Sequence, residues 1–148
     1  MFWIYGCLAF LCVLLMVYID DKKEAGAGLS SISATHMAVW HEAAVEYAHA
    51  HPGAQGLITE NSLILPSGYR PAGSWKSLYE QDIVTTWAVR EGSAVSPHVL
   101  AWALGEFSNG AVDAGIVVQG KIRTTSGAQI SVTPGVPDGV SALMTRVK

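Results

Sequence analysis

The chain opens on an apolar run that limits what the rest of it can be. Residues 2–19, FWIYGCLAFLCVLLMVYI, contain no charged side chain and a single glycine. Wound as a helix at ~1.5 Å per residue, such a run reaches roughly 27 Å, close to the ~30 Å hydrocarbon core of a bilayer. Trp3 and Tyr5 at one end and Tyr18 at the other put amphipathic rings at headgroup depth, and the charged stretch Asp20-Asp21-Lys22-Lys23-Glu24 ends the run abruptly. The expectation is a membrane anchor over residues 1–19, carried by Phe2, Trp3, Leu8, Phe10, Leu14, Leu15 and Ile19.

A cleaved secretory signal competes with that reading, but it calls for a basic start and a small-x-small site directly after the apolar region. The start has no Lys or Arg, and Ala25-Gly26-Ala27 is the one late candidate site. A lipoprotein box fails because Ala9-Phe10-Leu11 before Cys12 is too bulky. Cys7 and Cys12 both lie inside the apolar run, where they serve as small packing residues, so disulfides say nothing of compartment. Lys22 and Lys23 by themselves would favour the carboxyl flank inside, whereas a short anchor ahead of a Trp- and Gly-rich domain suits export; the residues alone leave the side open.

After Ile19 the chain has room for one ordinary domain. Every charged residue lies there, the net charge is −3, and no basic run exceeds Lys22-Lys23, which argues against nucleic-acid binding by bulk electrostatics. Residues 20–33, ending in AGAGLSSIS, read as a linker, since Gly26 and Gly28 would each cost about 1 kcal/mol inside a continuous helix.

Residues 34–50 carry a helical pattern, with Met37, Trp40, Ala44 and Tyr47 on one face, Ser33 or Thr35 as the cap and Pro52-Gly53 as the stop. Short strands follow over 56–65, and the turn-rich stretch from Pro66 to Pro71 leads to Ser74–Tyr79, expected as a helical turn with Trp75 over the sheet. Asp82–Arg90 is the clearest strand; Ile83, Thr85, Trp87 and Val89 point one way, Val84, Thr86 and Ala88 the other, and two apolar faces make it a central one. Ser96-Pro97 caps a second helix with Leu100, Ala103, Leu104 and Phe107 as its buried stripe. Gln119-Gly120 closes a two-residue hairpin, and strands over 128–132 and 140–147 complete an antiparallel sheet. The fold class is α+β: the N-terminal transmembrane helix, then a domain over 34–148 of a helix plus an antiparallel sheet with a second short helix.

Chemistry is sparse. No phosphate-binding loop, dinucleotide fingerprint, CxxC pair or nucleophile elbow is present. His41-Glu42 begins like a zinc-protease HExxH motif, but residue 45 is Val where the second ligand must stand one turn on. His36, His41, His49 and His51 are therefore expected as solvated or rim histidines, and Glu42 and Glu46 as a solvated face. Ser74, Ser96 or Ser126 beside a histidine makes no triad without a third oriented group. No catalytic residue, metal or cofactor is assigned. Trp75, Trp87 and Trp102 are expected first as core packing, and Tyr69, Trp75, Trp102 and Phe107 are the candidates for a protein interface.

Several of these stretches together carry a resemblance. Leu65-Pro66-Ser67-Gly68-Tyr69-Arg70-Pro71 before Ser74-Trp75, the strand Ile83 to Ala88, the Ser96-Pro97 helix, the Gly120 hairpin and Val136-Pro137-Asp138-Gly139-Val140 resemble the PilM family of plasmid-type (type IVB) conjugative pilus systems, over essentially the whole chain. It is distinct from the actin-like cytoplasmic ATPase that shares the name. The resemblance implies an accessory protein for building the thin conjugative pilus, held in the bacterial inner membrane with its domain in the periplasm and working with other pilus-assembly proteins. It implies no catalytic residues and no cofactor. Two alternatives stand beside it: a minor pilin-like subunit that enters the fibre, and a membrane-tethered hydrolase. Against the first, the linker interrupts the helix and no pilin-type Gly, with Glu at the fifth mature position, opens the apolar run.

Overall fold

Two helices lie on one face of a seven-stranded antiparallel sheet, and the chain reaches this arrangement by burying a stripe of mostly small residues. The computed structural model describes residues 28–71, 73–89, 95–108 and 113–147. The first helix, α1, covers 28–50 and buries Ser30, Ser33, Ala34, Met37, Trp40, His41, Ala44 and Ala48, a stripe at helical spacing. The alanines and serines let the helix lie close to the strands, while Met37 and Trp40 fill the gaps.

Of the linker expected over 20–33, this helix corrects residues 28–33. Residues 28–33 are helical, and Ser30 and Ser33 are 3% and 6% exposed, so tertiary burial overrides their poor helix propensity. Ser33 and Thr35 are consequently inside the helix and cap nothing; the Thr35 hydroxyl donates instead to the Ser31 carbonyl one turn back, at 2.9 Å. Residues 20–27 and the whole anchor stretch, including Phe2, Trp3, Leu8, Phe10, Leu14, Leu15 and Ile19, lie outside the described residues. Among the described residues no helix is long and apolar enough to cross a membrane.

After α1 the chain forms β1 (Gly56–Ile58) and a 3-10 turn at Glu60–Ser62, so the expected one or two strands are one strand and a turn. Then come β2 (Trp75–Glu80), β3 (Ile83–Ala88), α2 (Pro97–Ser108), β4 (Asp113–Val118), β5 (Lys121–Thr124), β6 (Gln129–Ser131) and β7 (Ser141–Arg146). The helical turn expected at Ser74–Tyr79 is a strand, because β2 pairs with β3 along its full length, Trp75 opposite Ala88 and Glu80 opposite Ile83. Their connection is a two-residue turn in which both Gln81 (φ 51°) and Asp82 (φ 60°) take the left-handed conformation. Neither is glycine, so no hairpin signal is legible at this turn. Gln81→Asn is expected to raise stability by about 0.5 kcal/mol, since Asn tolerates that backbone better; an unchanged or lower denaturation midpoint would refute it.

The sheet order is β1-β2-β3-β7-β4-β5-β6. The last strand thus enters between β3 and β4, pairing Thr85 with Met144 on one side and Asp113 with Met144 on the other. Because β3 and β4 are both antiparallel to β7, they run parallel to each other and need a crossover, which α2 supplies. The start of α2 is tied to β7 by the Ser141 hydroxyl, which donates to the Pro97 carbonyl at 2.7 Å, and the Ser96 carbonyl accepts the Leu100 N–H as expected of a helix start. The hairpin at Gln119-Gly120 (φ 52° and 69°) is the one read from the sequence.

The strand alternation expected for β3 holds, and it divides the core in two. Val84 and Ala88 face the helices together with Met37, Trp40, Leu100 and Leu104, while Trp87 packs on the opposite face with Val117, Ile122, Val140 and Met144. That second face carries no helix among the described residues; residues 132–140 fold back over part of it, with Val132 and Val136 against the strands. Part of it stays open.

Candidate interaction surface and the buried histidine

His41 is the first residue whose placement differs from the expectation. Rather than rimming the domain, it is 4% exposed between α1 and the sheet, because it falls one turn after Met37 and just before Ala44 on the buried stripe. Its Nδ1 lies 2.8 Å from the Thr86 Oγ1 on β3 and its Nε2 2.8 Å from the Thr145 Oγ1 on β7. Thr86 in turn lies 2.7 Å from the Ser77 Oγ on β2, which accepts the Trp40 indole N–H at 3.1 Å.

Counting donors orders this chain. If Trp40 donates to Ser77, Ser77 to Thr86 and Thr86 to Nδ1, the Nε2–H is left to donate to Thr145, and the one proton without an acceptor in the series is that of the Thr145 hydroxyl, at the half-buried end. Run the other way, the Ser77 hydroxyl would accept twice and have no acceptor in the series for its own proton. The histidine is therefore the neutral Nε2–H tautomer. Burial lowers its pKa to about 4 from the usual 6.5, since desolvation disfavours the imidazolium. With both nitrogens engaged and no access to solvent, His41 binds α1 to strands β2, β3 and β7 and is a poor base for any bound molecule. Glu42 and Glu46 are exposed, and His49 and His51 lie on the surface as expected, the His51 ring stacked on Tyr47 at 4.4 Å.

The four interface candidates separate. Trp75 is 6% exposed within the core and is unavailable to a partner. Tyr69 is half-buried against α1, its hydroxyl donating to the His36 carbonyl at 2.8 Å and its ring 5.5 Å from the His36 ring, so it closes the 66–71 loop onto the helix. Trp102 is 58% exposed on the outer side of α2, next to Val99 at 43%, above a shallow hollow with Gly105, Glu106 and Thr125. The core role expected of Trp102 is thereby corrected: α2 turns Leu100, Ala101 and Leu104 inward, and position 102 faces out. The side chain of Phe107 lies outside the description.

A larger surface was missed from sequence. On the helix-free face, an open groove of about 580 Å³ runs between the ends of β1, β2 and β3 and the 134–138 loop. Its lining is mainly apolar, with Leu57, Leu78, Trp87, Val89, Pro134 and Pro137 contributing, and Lys76 and Asp138 are its charged members. Leu57 is 65% exposed at its rim. The residues come from four separated stretches of chain, so only their alternation was visible beforehand: Lys76 and Leu78 must share a face once β2 is a strand.

Comparison with known proteins agrees with this architecture. No curated protein matches the chain. Among solved structures, the crystal structure of the protein PilM from Escherichia coli B7A superposes with a TM-score of 0.54 at 26% identity, over 78% of this chain and 90% of that one. The PilM family profile matches residues 9–142, nearly the whole length and starting inside the apolar run. This chain therefore belongs to the PilM family and is a pilus-related protein.

Proposed function

We propose that the protein is a non-enzymatic accessory component of type IVB pilus assembly in bacterial conjugation, anchored in the inner membrane by residues 2–19 with its domain in the periplasm, and acting by contact with other pilus-assembly proteins. The observation that carries this is the family match over residues 9–142, which takes in part of the apolar run as well as the domain. Support comes from the apolar side chains held out to solvent, Leu57, Ile64 and Trp102 among them, and from the open apolar groove.

Deleting the gene is expected to abolish piliation and transfer in liquid, with restoration by the full chain. Glu42→Gln and Glu46→Gln are expected to leave transfer unchanged, because both side chains are exposed; a hundredfold loss from either would overturn the non-enzymatic assignment. His41 is unsuited to that test, because it is part of the core and not the solvated rim residue expected from the sequence. Alkaline phosphatase fused after Lys148 is expected to be active; an inactive fusion, with a fluorescent protein glowing in its place, would reverse the topology.

The minor-pilin alternative gains one observation: α1 is already helical at Gly28, so the interruption that counted against it does not extend over 28–33. Recovery of the protein in sheared pili would favour that reading. The hydrolase alternative loses its best general base, since both nitrogens of His41 are engaged.

A further inference from the structure

The two edges of the sheet differ in a way that points to a specific kind of partner. At one edge, β6 turns Gln129 and Ser131 to solvent and keeps Ile130 half-buried, a polar and self-protecting border. At the other, β1 pairs only with β2 among the described residues, and its outward residue is Leu57. Leu57 stands at the mouth of the groove, on the same face as Leu78 and Trp87. An open strand edge offers backbone N–H and C=O groups that only another extended chain can match in series, and residues of an added strand alternate between the two faces. Every second side chain of such a strand would fall beside Leu57 and toward the groove. Lys76 is exposed in the lining, and the carboxylate of Asp138, the other charged residue there, accepts the Gly120 N–H at 3.1 Å, so a carboxylate on the added strand is the complement open to Lys76.

Resting on the proposal that the protein acts by protein contacts, we infer that the β1 edge and the groove beside it receive an extended segment of a different pilus-assembly protein, added as an eighth strand, with apolar residues at alternate positions and a carboxylate set against Lys76. A lipid chain could fill the apolar lining but would leave the strand edge unmatched. A second copy pairing edge to edge would bring two Leu57 side chains together but would supply no carboxylate to Lys76 from the three residues of β1, which contain none.

The test uses the full-length chain in piliating cells, with a photocrosslinking phenylalanine placed at Leu57 or at Val89. Adducts to one other polypeptide are expected from both positions, with the crosslinked partner residues lying in one segment at even spacing. Leu57→Asp and Lys76→Glu are expected to remove the Val89 adduct and to lower transfer at least tenfold at unchanged protein level and unchanged thermal unfolding, while Lys76→Arg retains both. An adduct of twice the chain's mass, an adduct to phospholipid, or no adduct from either position would overturn the assignment. If Leu57→Asp and Lys76→Glu transfer normally while Trp102→Asp does not, the groove is wrong and the protein-contact reading survives; if gene deletion leaves piliation intact, that reading fails as well.

Discussion

Gly115→Ala is expected to cost at least about 3 kcal/mol, enough to leave a domain of ordinary stability partly or wholly unfolded. Gly115 sits in β4 opposite Thr124, where β5 curls tightly over it. A Cβ there would lie 2.1 Å from the Arg123 carbonyl oxygen, 2.7 Å from its carbonyl carbon and 2.9 Å from the Ile122 Cγ2. The obstacle is backbone held in a ladder, so the clash cannot be relieved by rotating a side chain; β5 must separate from β4, and Ile122, fully buried behind it, moves too. Gly105→Ala is the control. Its Cβ would meet the Thr125 Oγ1 at 3.0 Å, a hydroxyl that can shift, and in the middle of α2 alanine recovers about 1 kcal/mol of helix propensity. Denaturant unfolding of the full chain in detergent should show a large fall in midpoint for the first substitution and a change within about 0.5 kcal/mol for the second. Similar midpoints for the two would show that β4 and β5 do not approach as described.

His41 should make stability depend on pH in the mildly acidic range. The unfolded chain takes up this proton near pH 6.5, and the folded one only near pH 4. Because the folded-state value is depressed, the contribution is fully present above pH 6.5, falls as pH drops toward 4, and is then constant. The slope is at most about 1.4 kcal/mol per pH unit and the total about 3 kcal/mol. Carboxylates titrate in the same range, so the difference between the natural protein and His41→Gln isolates the effect. A glutamine is expected to keep one of the two threonine hydrogen bonds, to cost about 1–2 kcal/mol at pH 7.5 and to flatten the profile between pH 6.5 and 4. His41→Ala is expected to cost about 2–4 kcal/mol at pH 7.5, from the cavity and from the Thr86 and Thr145 hydroxyls it strands. Parallel pH profiles for the natural protein and His41→Gln would contradict the buried neutral histidine.

His41 also shows how much of the surface and core could be seen in advance. Its position one turn beyond Met37 was in the sequence, but an imidazole on a helix fits a wet rim or a buried network equally well; the choice depends on whether threonines from β3 and β7 arrive opposite it. The same holds for Trp102, whose exposure was set by the roll of α2 over β4 and β7 and not by its own hydrophobicity.

What the sequence determined by itself was whatever depends on neighbours along the chain: the start of α2 at Ser96-Pro97, the Gln119-Gly120 hairpin, the two-faced burial of β3, the α+β class and the family. What the tertiary structure alone decided was which distant stretches meet. Residues 28–33 become helix because Ser30 and Ser33 are covered, β2 is a strand because β3 pairs with it through a glycine-free turn, and β7 slides between β3 and β4, some fifty residues from one and twenty-odd from the other. Local conformational preferences are worth tenths of a kcal/mol per residue, whereas burying a side chain or completing a strand ladder is worth several times more, so where the two compete the long-range contact prevails.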